Sequence, residues 1–307
     1  MREVSPESPE ERRKHPHSLA RAYVGPGSRF FEVSKRTLIG VYNDGFIHAG
    51  NLAYLTLLTL FPFFIVLAAA AQLIGRPQEN MAAIGTVLTA LPPSVAKLIS
   101  GSAQEVLTAR TGGLLWFGAL VGLWTVSSFI ETIRDILRRA YGTSFSRPFW
   151  HYRLLGIAIV FGSVAMLMLS FTAQILLTAA QEFIVRFFPA ANTLTVMLAS
   201  SRIIPLAAMF FAIFALFWVL TPARYRHSKC PKWPGALFTT IWWSSALLLL
   251  PRILEGLGGY ALTYGGFAGV IVALLFFWVV GYGLVIGAHL NAALADSGEN
   301  ALKGDTD

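Results

Sequence analysis

An all-α, polytopic membrane bundle is what this sequence predicts: six transmembrane helices, with an outer amphipathic helical segment between helices 1 and 2. Of the 307 residues, 55% are apolar and only 13% charged. The apolar residues fall in long blocks rather than being dispersed. Six charge-free stretches reach or approach the roughly 20 residues that a spanning helix needs: Gly45–Gly75, Thr111–Ile130, Leu154–Gln181, Ile203–Ala223, Trp233–Pro251 and Gly256–Ala295. Lys and Arg also alternate in density between these blocks. Buried helices of a large soluble protein are the competing explanation, and six such runs in one chain argue against it.

The chain opens with residues 1–36, a basic and proline-containing tail that reads as disordered. It has no early apolar core, so a cleavable signal peptide is not expected. Its Arg and Lys residues suit an anionic leaflet. Residues 37–295 form the membrane domain and residues 296–307 a short second tail.

The first span contains "NLAYLTLLTLFPFF", Asn51 to Phe64. At about 100° per residue, His48, Asn51, Tyr54, Thr59 and Pro62 occupy an arc of roughly 140°. The rest of the surface is mostly Leu, Ile, Phe and Ala. Unsatisfied polar groups in hydrocarbon are costly, so this arc faces other helices or a cavity. Asn51, Tyr54, Thr59 and Pro62 are therefore candidates for lining a substrate cavity. Plain interhelical glue is the simpler reading, and the two stay open at this point. Pro62 frees a carbonyl one turn earlier and can kink the helix.

Between the first two spans, apolar residues recur at helical spacing on either side of Pro92-Pro93, from Met81 to Leu107. Two short amphipathic helices are expected there on the outer side, interfacial or packed on protein. The second span ends in "SSFIETIRDILRRAYG", where Ser128 and Glu131 stand at the edge of the apolar run. Glu131 either pairs with Arg134 or Arg153 or is simply a solvated helix end. In the third span Ser163, Ser170, Gln174 and Gln181 form one stripe, a packing seam. The fifth span is the shortest and opens on Trp233 and Pro234. Arg202 and Arg252 flank spans four and five on the outer side, as contacts for an anionic headgroup or as snorkelling anchors. The glycine-rich "GLGGYALTYGG" delays the sixth helix to about Phe267. That helix places Tyr282 and His289 on one face, again as cavity or seam residues.

Lys and Arg total 18 in the segments that include both termini and six in the other set. The positive-inside rule then puts both termini in the cytoplasm, which requires an even number of spans. The net charge of +8 needs no nucleic acid partner, because topogenic charge and anionic lipid account for it. The single Cys230 excludes an internal disulfide, and no metal-binding or cofactor motif is present. Expected partners are membrane lipids and an amphiphilic substrate.

The first-span stretch "AGNLAYLTLLTLFPFFIVL" resembles the signature of the BrkB/YihY family of bacterial inner-membrane proteins. "LWTVSSFIETIRDILRRAYGTSFSRPFWHYRLLG" is similar to that family's block across the second and third spans, and "YGGFAGVIVALLFFWVVGYGLVIGAHLNAAL" to its final span. The resemblance covers roughly Phe30 to Ala295. It implies six spans with both termini inside, in agreement with the charge count. Members have carried the labels of a ribonuclease and of a serum-resistance virulence factor, and a role in moving lipid or another amphiphile has been proposed for the fold. Where the family often has glutamate in "GAE", this chain has "GAH" with His289, so a role resting on that carboxylate lacks its residue here. Two readings follow: a transporter or flippase-like protein for an amphiphile, or a non-transporting scaffold that maintains the envelope. Ribonuclease activity is not expected.

Overall fold

A computed structural model describes residues 8–9, 29–74, 96, 100, 113–143, 150–166, 203–226, 230–256 and 267–303. Its helices are α1 (Arg29–Ile74), α2 (Gly113–Tyr141), α3 (Trp150–Met166), α4 (Ile203–Leu220), α5 (Ala223–Arg226), α6 (Trp233–Gly256) and α7 (Ala268–Lys303). No strand occurs among the described residues. Among the described residues, three stretches are long and apolar enough to cross a membrane: Trp116–Tyr141, Trp233–Ile253 and Ala268–Ala295. Gly45–Leu60, Trp150–Met166 and Pro205–Leu220 are shorter apolar helices. Each of the six stretches singled out in the sequence overlaps one of these, and the fold is a helical membrane bundle. The expected outer segment, 81–107, lies outside the described residues apart from Ala96 and Ser100.

Helix ends follow local chemistry. α1 starts at Arg29, inside the tail assigned to residues 1–36. There an Arg36–Glu32 pair (Nε to Oε1, 3.1 Å) supports the first turns, and Val33, Thr37 and Val41 are buried. The helix continues through Pro62. α2 stops at a Schellman turn: Gly142, at φ 73°, donates to the Arg139 carbonyl, and Thr143 N donates to that of Arg138 at 3.0 Å. α6 accepts Trp233-Pro234 because a proline in the first turn has no intrahelical bond to lose. Phe267 directly precedes α7, as the glycine-rich stretch before it requires.

The chain divides into two compact units. The first contains α1 up to Leu57, α2 from Phe129, α4 from Met209, and α5 to α7. The second contains α1 from Leu58, α2 up to Ser128, and α3. In lipid there is no hydrophobic drive between helices, so close packing and hydrogen bonds must hold them. In the first unit α6 and α7 supply both. Gly235 N donates to Asn291 Oδ1 at 2.8 Å, and Thr239 Oγ1 to the carbonyls of Gly235 and Gly283. The indoles of Trp242 and Trp243 donate to the carbonyls of Val279 and Val280, each at 2.8 Å.

Asn291 is 1% exposed and answers a backbone N–H in the first turn of α6, which no residue of α6 itself can do. Asn291→Ala is expected to lower stability by about 1 kcal/mol in a detergent melt, within the range of membrane hydrogen bonds. An unchanged melting temperature would mean that this bond contributes nothing.

Two cations tie the α4–α5–α6 connection. Arg226 donates to the carbonyls of Val219 and Thr221, and Lys232 Nζ to those of Tyr225 (2.6 Å) and Arg226 (2.9 Å). Positive charge is favourable at these helix C-termini. Burial pulls the Lys232 ammonium below the usual lysine range. Cys230 Sγ lies 3.1 Å from the Ala295 carbonyl oxygen, fixing the start of α6 against α7.

Candidate functional site

The polar arc of α1 is divided by the structure. Ala49, Leu52 and Ala53 are 0%, 2% and 3% exposed and form the helix's packing face. This face meets Gly281 of α7, where an added Cβ would lie 3.1 Å from Leu52 Cβ and 3.2 Å from the Ala49 carbonyl oxygen. Asn51 and Tyr54 are turned away from that face and are exposed. They lie between exposed Ile47 and Leu58, at i, i+4, i+7 and i+11, which makes one stripe along the helix. His48 is half-buried. Thr59 lies in the second unit and is buried, so it belongs to a packed seam rather than to the exposed stripe.

Pro62 is half-buried in the second unit. Gly122 of α2 crosses it so closely that a Cβ there would stand 2.7 Å from the Pro62 carbonyl oxygen. The close approach needs a glycine, and no motif or spacing singles out Gly122.

Tyr282 and His289 share a face of α7, as their spacing requires, and both meet α1. Tyr282 is half-buried and stacked on Trp278 at 5.3 Å, and Phe46 of α1 packs edge-on to Trp278 at 5.2 Å. Trp242 of α6 comes within 6.3 Å of Tyr282. His289 is buried against Gly40, where an added Cβ would lie 2.4 Å from Nδ1. His48 stands within electrostatic range of it. Glycine at position 40 is thus the seat of the histidine ring, a relation that nothing in the sequence marks.

Ser128 and Glu131 occupy one side of α2, three residues apart, and are half-buried. Ser128 Oγ donates to the Trp124 carbonyl at 3.0 Å and accepts from Arg153 Nη1 at 2.9 Å. Arg153, which the sequence offered only as a partner for Glu131, lies with Cζ 3.6 Å from the centroid of the Trp124 ring. Ser127 Oγ donates to the Arg153 carbonyl at 3.4 Å, and Gly156 packs directly on Ser127. Arg252 is exposed at the end of α6, while Arg202 lies outside the described residues, as do Ser170, Gln174 and Gln181 of the third span. Among the described residues, no three of His, Cys, Asp or Glu gather as a metal site.

Comparison with known proteins gives one family. The family described as Virulence factor BrkB matches residues 42–306. A ribonuclease-like protein of Bacillus subtilis, YfkH, is 29% identical over 258 residues, covering 82% of this chain and 90% of that protein. A UPF0761 membrane protein of Verminephrobacter eiseniae is 28% identical over 262 residues, covering 80% of this chain and 59% of its own length. Another, from Alteromonas mediterranea, is 24% identical and is covered over 84% of its length. No solved structure matches.

Proposed function

The chain belongs to the BrkB virulence-factor family, and on that footing we propose that it is a transporter or flippase-like protein for a lipid or another amphiphile. Its setting in this reading is a bacterial inner membrane, with both termini cytoplasmic. The observation that carries the proposal is the exposed stripe of α1. Along it the polar Asn51 and Tyr54 stand between the apolar Ile47 and Leu58, inside a charge-free span. The seam to α7 uses a different face, so Asn51 and Tyr54 do not serve as glue there. A helix that only met lipid gains nothing from an exposed asparagine at this depth, whereas a helix that guides a molecule with a polar head and an apolar tail gains from both.

Without an ATP-binding motif, movement is passive, ion-coupled or driven by a partner. Against a nuclease role, the six histidines are scattered along the chain, at positions 15, 17, 48, 151, 227 and 289, and His289 is sealed in a helix seam. A scaffold reading draws its support from the α6–α7 contact, where Asn291 Oδ1 and the Thr239 hydroxyl hold the two helices together.

Two experiments test this reading. Asn51→Ala is expected to lower activity while leaving the detergent melt unchanged, and Thr59→Val to cost stability, about 0.6 kcal/mol on average for a membrane hydrogen bond. Parallel losses of activity and stability in Asn51→Ala would make the exposed stripe structural. Reporter fusions after Gly101 and Asn192 should read outside and those after Thr143 and Ser228 inside. A reversed pair would overturn the orientation.

A further inference from the structure

Several polar side chains inside the spans bond back to the protein. Thr56 Oγ1 donates to the Leu52 carbonyl at 2.7 Å, and the indoles of Trp242 and Trp243 donate to carbonyls of α7. Four groups of the first unit do not. Among the described residues, no hydrogen bond holds the Asn51 amide, the Tyr54 hydroxyl, the Trp278 indole N–H or the Tyr282 hydroxyl. Asn51 and Tyr54 are exposed on α1, and Trp278 and Tyr282 are half-buried on α7. A bare donor is costly in hydrocarbon, so this surface suits a molecule that accepts hydrogen bonds.

The four groups fall on neighbouring surface of α1 and α7. A Cβ at Gly50 would lie 4.0 Å from Trp278 Cδ1, the ring atom bonded to Nε1. One at Gly45 would lie 3.3 Å from Tyr282 Cε2, next to the hydroxyl-bearing carbon. Ile47 and Tyr54 stand three and four residues from Gly50, so they are its neighbours on the helix surface. The donor edge of Trp278 therefore borders the exposed stripe of α1. The two rings are stacked at 5.3 Å with 21° between their planes, so they offer polar edges rather than a cage of open faces for a cation.

Charge and depth narrow the ligand. Neither helix has Asp, Glu, Lys or Arg from Gly45 to Ile74 or from Ala268 to Ala295, so nothing here selects an ionic head. Asp44 is the last charged residue before the apolar run of α1, and Asn51 lies about 10 Å further along the helix. The headgroup layer is about 5–7 Å deep on each side of a bilayer. What a lipid brings just beneath it is the neck, where ester carbonyls join the head to the chains.

We propose that Asn51, Tyr54, Trp278 and Tyr282 recognise the ester carbonyls at the neck of an acylated lipid, whatever the charge of its head. This rests on the transport reading and narrows its substrate to ester-linked lipids.

The test is native mass spectrometry of the detergent-solubilised chain with diester and diether phosphatidylglycerol of equal chain length. The wild type should retain the diester about tenfold better. Trp278→Phe keeps an aromatic ring on Tyr282 and removes only the N–H. It should cut the preference about threefold, the equivalent of about 0.6 kcal/mol for one membrane hydrogen bond. Trp278→Phe/Tyr282→Phe should bring it close to one. Trp243→Phe is the control: its N–H is already bonded to the Val280 carbonyl, so the preference should stay. The same ratio should hold for the diester and diether forms of phosphatidylcholine.

Equal retention of diester and diether by the wild type overturns the proposal, as does a preference confined to one headgroup. An unchanged preference in the double variant also overturns it. If the double variant does not fold, an unchanged preference in both single variants does so. The transport reading fails separately. A wild type that selects the diester through Trp278 but moves no lipid across liposomes keeps the site and loses the transport. One that moves diester and diether equally, without preference in binding, keeps the transport and loses the site.

Discussion

Replacing Gly235 with alanine is expected to cost about 3 kcal/mol, at the top of the range for overpacking, or to keep the chain from accumulating in the membrane at all. The added Cβ would lie 2.3 Å from the Gly287 carbonyl oxygen and 2.5 Å from Asn291 Nδ2. The first of these is backbone and cannot rotate away, so α6 and α7 would have to part. Their separation would strain the bonds that Gly235, Thr239, Trp242 and Trp243 make to α7. Gly162→Ala in α3 is the matched control, since nothing lies within 4 Å of its Cβ position. Alanine there should be neutral or should add up to about 1 kcal/mol through helix propensity. Detergent melts and membrane levels of the two variants decide the matter. Equal behaviour would show that the α6–α7 seam is looser than its geometry.

The second large effect falls on activity. In Asn51→Leu/Tyr54→Leu the exposed stripe of α1 becomes apolar from Ile47 to Leu58. Neither residue belongs to the packing face of Ala49, Leu52 and Ala53, so folding should be indifferent to the change. Burying no new polar group, the double variant should melt within about 0.5 kcal/mol of the wild type, as surface substitutions do. If the stripe guides the polar head of a substrate, transport should fall by about tenfold or more, the effect of losing roughly 1.4 kcal/mol at the barrier. Full activity in the double variant would remove the α1 stripe from the pathway.

The bundle was legible because hydrocarbon imposes a length and a composition on each helix. The start of α7 beside Phe267 was equally legible, since glycine-rich sequence is a poor helix former. The start of α1 at Arg29 was less so. Glu32, Lys35 and Arg36 mask a buried face of Val33, Thr37 and Val41, which becomes visible only once a partner is in place. Periodicity identified the polar arc of α1 but could not say which side neighbours would cover. Asn51 and Tyr54 therefore appeared equivalent to Thr59, although the first two are exposed and the third is buried. Pair relations were the least legible. Gly40 with His289, Gly122 with Pro62, and Gly235 with Asn291 each depend on two residues far apart in the chain. Arg153 was legible only as a partner for Glu131, and its seat on Trp124 and Ser128 depends on the approach of α3 to α2.

Movement of a fluorescent phospholipid across liposomes is the most direct measurement of a transporting role. With the chain reconstituted, more of an inner-leaflet label should become accessible to an external quencher than in protein-free liposomes, with or without an imposed ion gradient. The Asn51→Leu/Tyr54→Leu variant should return the signal to the protein-free level. Identical kinetics with and without the wild-type chain, under every gradient, would contradict transport and leave the scaffold reading in its place.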